Sequence, residues 1–306
     1  GREAFFYILY DNVVYKYPVT ARIKKEQADM HDRVLENLKN DRNSSTKVYN
    51  VFGEMFQHQN VLSFINPDIL GISSSSRYRD FKSINYYIPD KINDKEAMAD
   101  AIFPGNEKDS FDRYIDNSET VIFRNLDSIY RVYDNGLLEY KYLPEHDSQD
   151  KGSQGAAFVN ASRFVNTVNK NLNSTADVYL SWVREKGGSY EFAFYYIIGD
   201  IPVFINVESK GKSKEIIRNA AVIEANSKRM LNCHFVLRIF EQNAGTGVYK
   251  VDTVSLLDES GLNIRDLSIK DMGAAYLVDS KEKRREPPVW CIEATGGENH
   301  FVKLPK

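Results

Sequence analysis

The residues able to do chemistry are few and scattered. Five histidines, His31, His58, His146, His234 and His300, stand in no HExxH or comparable metal-ligand spacing. His31 and His146 are expected at the surface. Cys233 and His234 are adjacent, but neighbouring residues of a strand point to opposite faces, so a thiolate–imidazole pair does not form there. The second cysteine, Cys291, is far away in sequence, and no CxxC motif exists. Two buried free thiols acting as small apolar residues are the plain expectation. A disulfide would require neighbouring strands and would imply an oxidising compartment. Gly245-Thr246-Gly247 lacks the third glycine and the following helix that cradle a phosphate, and no GxSxG elbow or Walker loop is present. Carboxylate pairs such as Asp109/Asp112 or Asp266/Asp271 could serve glycoside hydrolysis if a cleft set them at the right separation. Surface acids need no such role, and the Asp-rich loops do not follow the EF-hand pattern. No catalytic, cofactor-binding or metal-ligating residue is therefore assigned, no cofactor is expected, and the expectation is a protein that is not an enzyme.

Composition narrows the class. The chain has 306 residues and a net charge of -3, without the basic excess of a nucleic-acid binder. Its apolar and charged fractions suit a globular chain of one or two domains. Tyrosine (19) and phenylalanine (17) are abundant, which suits β-sheet faces. No run of about 18 apolar residues is present. The sequons at Asn43, Asn160 and Asn173 are no more than chance provides.

The elements are organised around residues 189–206, which read as a β-hairpin. Tyr190, Phe192, Phe194, Tyr196 and Ile198 fall on one strand face and Glu191 on the other. Gly199-Asp200 supplies the turn, and Pro202 sits early in the return strand. Runs at 221–225 and 230–240, separated by Asn226-Ser227-Lys228, extend this into an antiparallel meander. A helix over 156–172, with Phe158, Ala161, Val165, Val168 and Leu172 on one stripe, is expected to pack across it. A strand at 178–183 leads into the hairpin through Gly187-Gly188.

Upstream, strands are expected at 4–10 and 13–17, then an amphipathic helix over 24–40 carrying Ile23, Met30, Val34 and Leu38 on its apolar side. Val48, Val51, Phe52, Met55 and Phe56 form a second helical stripe, whose ordinary role is core. Loops follow at 41–45 and 71–76, and a strand at 83–88. Asn93 with Glu96 resembles a capping box opening a helix that stops at Phe103-Pro104. Short strands at 120–124, 128–133 and 137–142 come next, the last two joined by Asp134-Asn135-Gly136. Downstream, Gly245–Gly247 reads as a turn, 251–257 as a short helix, 272–278 as a strand, 281–286 as a solvated loop, and 289–304 as a final hairpin. The fold class expected is α+β, antiparallel sheets with helices packed on one face, in two domains at 1–90 and 91–306.

The order of these elements resembles the C-terminal part of YycH-type proteins of low-GC Gram-positive bacteria, kin to YycI. The resemblance runs over residues 95–306. It is carried by Ala99-Asp100-Ala101-Ile102-Phe103-Pro104, Asn135-Gly136-Leu137-Leu138-Glu139-Tyr140, Gly199-Asp200-Ile201-Pro202-Val203-Phe204, Met272-Gly273-Ala274-Ala275-Tyr276 and Pro287-Pro288-Val289-Trp290. It implies a non-enzymatic regulator on the extracytoplasmic face of the cell membrane, held by one N-terminal membrane anchor. Its implied partners are the sensor histidine kinase YycG (WalK) and a YycI-like protein, in two-component control of cell-wall homeostasis. No site residue is carried over. A module binding a cell-wall fragment, through Tyr86-Tyr87 or Tyr140 and Tyr142, is the other reading; the strand at 300–304 is a candidate docking edge.

Overall fold

The computed structural model of the chain describes residues 4–10, 13–19, 48–51, 70–73, 78–89, 92–103, 105–144, 152–207, 215–251, 256, 260, 269–279 and 284–306. The helix expected over 24–40, residues 52–56 of the second helical stripe, most of 251–257, Asp266 and Asn43 lie outside the described residues.

In chain order the strands are β1 (Ala4–Tyr10), β2 (Val13–Val19), β3 (Val48–Val51), β4 (Leu70–Ser73) and β5 (Tyr78–Tyr87). Helix α1 (Lys95–Ile102) and a 3-10 turn (Gly105–Ser110) precede β6 (Asp112–Ile115), β7 (Val121–Arg124), β8 (Ser128–Val132) and β9 (Leu137–Tyr142). Helix α2 (Gln154–Asn171) is followed by β10 (Asp177–Lys186), β11 (Ser189–Ile198), β12 (Ile201–Val207), β13 (Glu215–Ile217), β14 (Ala221–Ala225) and β15 (Met230–Val236). The chain closes with β16 (Ile239–Lys250), β17 (Ile269–Val278), β18 (Arg284–Glu286), β19 (Val289–Ala294) and β20 (Asn299–Lys303). The class is α+β, dominated by antiparallel and mixed sheet, with two α-helices among the described residues.

Eight antiparallel strands stand in the order β6-β7-β8-β9-β15-β14-β11-β10. A second group, β13-β12-β17-β19-β20, contains the parallel pair β12–β17. The two groups meet through the β11–β12 hairpin, where only Ile197↔Pro202 and Ile198↔Ile201 are paired. Gly199 and Asp200 both hold positive φ (53° and 70°), which a tight hairpin turn demands. Just beyond the turn β12 leaves the first group, and β14 takes its place beside β11. The return strand therefore does not lie between β11 and β14 as a simple meander would place it. A third sheet has β5 at its centre, between β16 and β18.

The core follows from alternation on β11. Phe192, Phe194, Tyr196 and Ile198 are buried, while Glu191 and Tyr195, on the other face, are half-buried. Helix α2 lies over Phe192 and Phe194 through Phe158, with ring centroids 5.8 and 6.4 Å apart. Its buried stripe, Ala157, Ala161, Val165 and Val168, keeps helical spacing, and the two alanines let its backbone come close to the sheet. Ser153 caps it, its Oγ accepting from the Ala156 N–H at 3.1 Å. Helix α1 is capped by Asp94, which accepts from Glu96 and Ala97, so the cap is one residue later than Asn93. Asn171 of α2 donates to the Asp100 and Ala101 carbonyls at the end of α1, tying the two helices together. Phe103 does more than stop α1. It stacks on Phe111 at 4.3 Å and meets Phe123 and Tyr130 edge-on, anchoring an aromatic cluster under β7 and β8.

Five expectations are corrected. Val48–Val51, taken as the start of a helical stripe, is a strand paired with Leu70–Ser73, which was expected to be loop. Short apolar runs fit either period, and the β-branched valines favour the strand. The run 230–240 is two strands in two different sheets, broken at Leu237-Arg238. Gly245–Gly247 is not a turn; it lies within β16 at a register shift between Gln242 and Thr246. Arg284–Glu286, expected as solvated loop, pairs with the central strand β5.

Burial also sets an alkaline limit. Tyr130, Tyr140 and Tyr196 are pushed above the usual phenol range by desolvation. Desolvation pushes Tyr276 and Tyr133 up to about 12, helped at Tyr133 by its bond to Glu139. Unfolded tyrosines ionise near pH ~10, so between about pH 10 and 12 the unfolded chain binds fewer protons than the folded one. This contribution to stability is complete below that window and lost as pH rises through it. Titration should show Tyr130, Tyr140 and Tyr196 ionising only together with loss of far-ultraviolet circular dichroism. Tyrosinate absorbance saturating in a still-folded protein would contradict this placement.

Candidate functional site

Two places gather functional groups. The first is the sheet face turned away from α2. Strand register sets Arg131, Glu139, His234 and Val222 side by side across β8, β9, β15 and β14. The next row holds Lys141, Asn232, Glu224 and Glu191. On the first row, Tyr133 donates to Glu139 Oε2 at 2.7 Å, and His234 Nδ1 lies 3.8 Å from Glu139 Oε1. On the second, Glu224 accepts from Ser189 Oγ at 2.6 Å and pairs with Lys186 Nζ at 2.7 Å. Glu191 pairs with Arg184, whose guanidinium lies over the Trp182 ring at 5.4 Å. Each of these carboxylates already has a partner, so the face is a charge-balanced polar surface. It carries no base poised beside a nucleophile.

The second place is a cleft of about 60 Å³ between β12, β17 and β19, lined by Phe204, Arg218, Asp271, Gly273, Cys291 and Glu293 among others. Arg218 lies over the rings of Tyr195 (4.9 Å) and Phe204 (5.9 Å). Its Nη1 is 3.7 Å from Glu293 Oε2, and Glu293 also holds Lys270 Nζ at 2.6 Å. Asp271 accepts from the Met272 N–H at 2.8 Å. Burial pushes the Cys291 thiol up to about 12, so it is protonated at neutral pH and is no nucleophile there. The cleft has room for no more than a few water molecules and is far below the roughly 300 Å³ of a small-molecule site.

Cys233 is fully buried, its thiol pushed up by desolvation alone, while His234 is exposed on the opposite face. Both cysteines are free, and they lie on β15 and β19, which do not pair. Asp109 is ion-paired with Arg113 at 3.3 Å, and Asp112 sits exposed on the edge strand β6. Two aromatics considered for sugar stacking are taken by the core, with Tyr86 1 % and Tyr140 7 % exposed. Tyr142 is packed under the Arg229 guanidinium at 4.6 Å, and Tyr87 donates to Glu241. Among the described residues no three His, Cys, Asp or Glu side chains gather as a metal site, and no helix there is long and apolar enough to cross a membrane.

One buried group had no counterpart in the sequence reading. Arg238, between β15 and β16, is 1 % exposed. Its Nη1 donates to the Asn135 carbonyl at 3.0 Å and the Leu237 carbonyl at 2.6 Å, while Nε and Nη2 have no partner among the described residues. Desolvation pulls the guanidinium down to about 10, so it remains charged at neutral pH. It locks the Asp134-Asn135-Gly136 turn to the point where the chain leaves one sheet for another. The signal was a broken alternation, with Phe235, Val236 and Leu237 apolar in succession before the arginine.

The chain matches no known family model, no curated protein and no solved structure.

Proposed function

We propose that the chain is a non-enzymatic extracytoplasmic regulator that binds and modulates a membrane sensor histidine kinase of the YycG (WalK) type, together with a YycI-like protein. The observation that supports this reading is the element order: α1, the β8–β9 hairpin, α2, the β11–β12 hairpin, β14–β15, β17 and the closing β19–β20 hairpin stand in the order on which the resemblance rests, while most of the helix it places before β17 lies outside the described residues. We take α1 and α2 as one helical layer on a single sheet face, and the chain as two domains, the second of which takes in β5 through its pairing with β16 and β18. The contacts between the helices, and of α2 with β11 and β14, support the layer.

The docking edge in this reading is β20. Among the described residues it pairs only with β19. Val302 and Leu304 anchor it in a core with Tyr249, Ile269 and Ile292, and Phe301 packs on Phe204 at 5.1 Å. A strand fixed on both faces, with its outer ladder open, suits strand addition. Regulation would then be a coupling free energy, binding that favours one conformation of the kinase. Co-purification of the protein from native membranes is expected to recover the kinase and the YycI-like protein. Recovery of neither would overturn the proposal.

A further inference from the structure

The eight-strand group is bordered by the short β6 on one side and by the ten-residue β10 on the other. Among the described residues β10 pairs with β11 alone, and Tyr179 and Leu180 on it are 51 % and 40 % exposed. Charged ends and a bulge usually keep such an edge from pairing. Here Asp177 stands at one end of the strand and Arg184 and Lys186, flanking Glu185, at the other, so the balance of charge has opposite signs at the two ends and the edge is complementary to itself. An antiparallel pairing of two copies, centred between Ser181 and Trp182, sets Asp177 opposite Lys186, Tyr179 opposite Arg184 and Leu180 opposite Val183.

The bulge is what allows this register. Along β11, Tyr179 stands opposite Tyr195 and Leu180 opposite Phe194, after which Trp182 stands opposite Ala193 and Val183 opposite Phe192. The shift at Ser181 exchanges odd for even positions on each face. Asp177, Tyr179, Arg184 and Lys186 therefore share the face turned away from α2, and Leu180 and Val183 share the other. In a regular strand, a pairing centred between two residues would set opposite faces against each other. With the bulge at the centre every pair outside it matches face to face. Each pair also occurs twice, as a two-fold interface requires.

We propose that β10 is a homodimer interface, in which two copies of this chain join edge to edge through an antiparallel β10–β10 ladder about a two-fold axis. This does not depend on the kinase reading, because it uses a different border and a different partner.

Sedimentation velocity from low micromolar to submillimolar concentration, at low salt, tests it. The unaltered chain should show a concentration-dependent monomer–dimer equilibrium. Asp177→Lys sets like charges opposite each other at both ends of the ladder and should weaken association roughly tenfold. Adding Lys186→Asp should restore it. Lys186 also pairs with Glu224 and Glu191 within its own chain, so circular dichroism must show the double variant folded. Leu180→Lys, which places a charge at the centre of the ladder, should abolish the dimer and decides the matter if the double variant does not fold. A monomer at every concentration, or a dimer indifferent to Asp177→Lys and Leu180→Lys, would overturn the proposal.

Discussion

Gly136→Ala is expected to destabilise the protein by about 3 kcal/mol or more, the sum of a left-handed backbone penalty and a steric clash. Gly136 holds φ +83° in the β8–β9 turn, and a Cβ there would sit 2.8 Å from the Leu237 carbonyl oxygen and against Arg238 Nη1. The carbonyl is backbone and cannot swing aside. It is also bound, accepting from Arg238 Nη1 at 2.6 Å, and the neighbouring Leu237 N–H ties the turn in place by donating to the Gly136 carbonyl at 2.7 Å. Moving the turn would pull Asn135 away from Arg238, leaving a buried guanidinium with fewer acceptors still. Gly297 provides the control. It has nearly the same φ, +84°, but a Cβ there meets nothing within 4 Å. Gly297→Ala should therefore cost only about 1–2 kcal/mol, the backbone penalty alone. Gly136→Asn, which tolerates positive φ but keeps the Cβ, should be nearly as damaging as the alanine. Chemical denaturation of the three variants checks this, and equal losses at 136 and 297 would remove the clash from the account.

Phe192→Ala should cost about 3–5 kcal/mol, the range for emptying a large aromatic site in a packed core. Phe192 is fully buried at the centre of β11, between Tyr190 and Phe158 of α2. Backbone pairing on both sides, to β10 and β14, holds the sheet in place, so the cavity cannot collapse cheaply. Phe192→Leu keeps most of the volume and should cost less than about 1.5 kcal/mol. Urea unfolding followed by circular dichroism gives both values. A small loss for the alanine would mean that α2 closes onto the sheet, and a crystal structure of that variant would show the shift.

What was legible in the sequence was whatever chemistry writes locally. Asp134-Asn135-Gly136 and Gly199-Asp200 announced their turns because few residues accept positive φ. The helix over 156–172 was legible because Ala161, Val165 and Val168 repeat at helical spacing, and the structure sets its bounds two residues earlier and one earlier. The opposite-face placement of Cys233 and His234 followed from alternation alone. Partners were not legible. Nothing local to Phe204 says that β12 turns away from β14 to pair in parallel with β17. Nothing local to Arg284–Glu286 says that a charged run completes a sheet around β5. Arg238 was hidden for a similar reason: its acceptor lies on the Asn135 carbonyl, 103 positions away. The polar face was half legible. Glu191 marked it, but its pairing rows exist only once the registers of β9, β14 and β15 are known.

The position of β5 has a consequence for how the chain is made. Both neighbours of this central strand come from far downstream, as do the bonds that fix it. Tyr276 donates to the Lys82 carbonyl 194 positions away, and the Asp279 N–H donates to the Tyr86 hydroxyl across 193. As the chain emerges from the ribosome, at roughly 5–20 residues per second, β5 waits about ten seconds or longer before either arrives. Throughout that interval Ile84 and Tyr86, later fully buried, have no sheet to enter. Closing so long a loop also delays the search for native pairing. Nascent chains arrested short of residue 240 should therefore be the most aggregation-prone, and a chaperone that holds extended apolar strands would find its main client segment at residues 78–87.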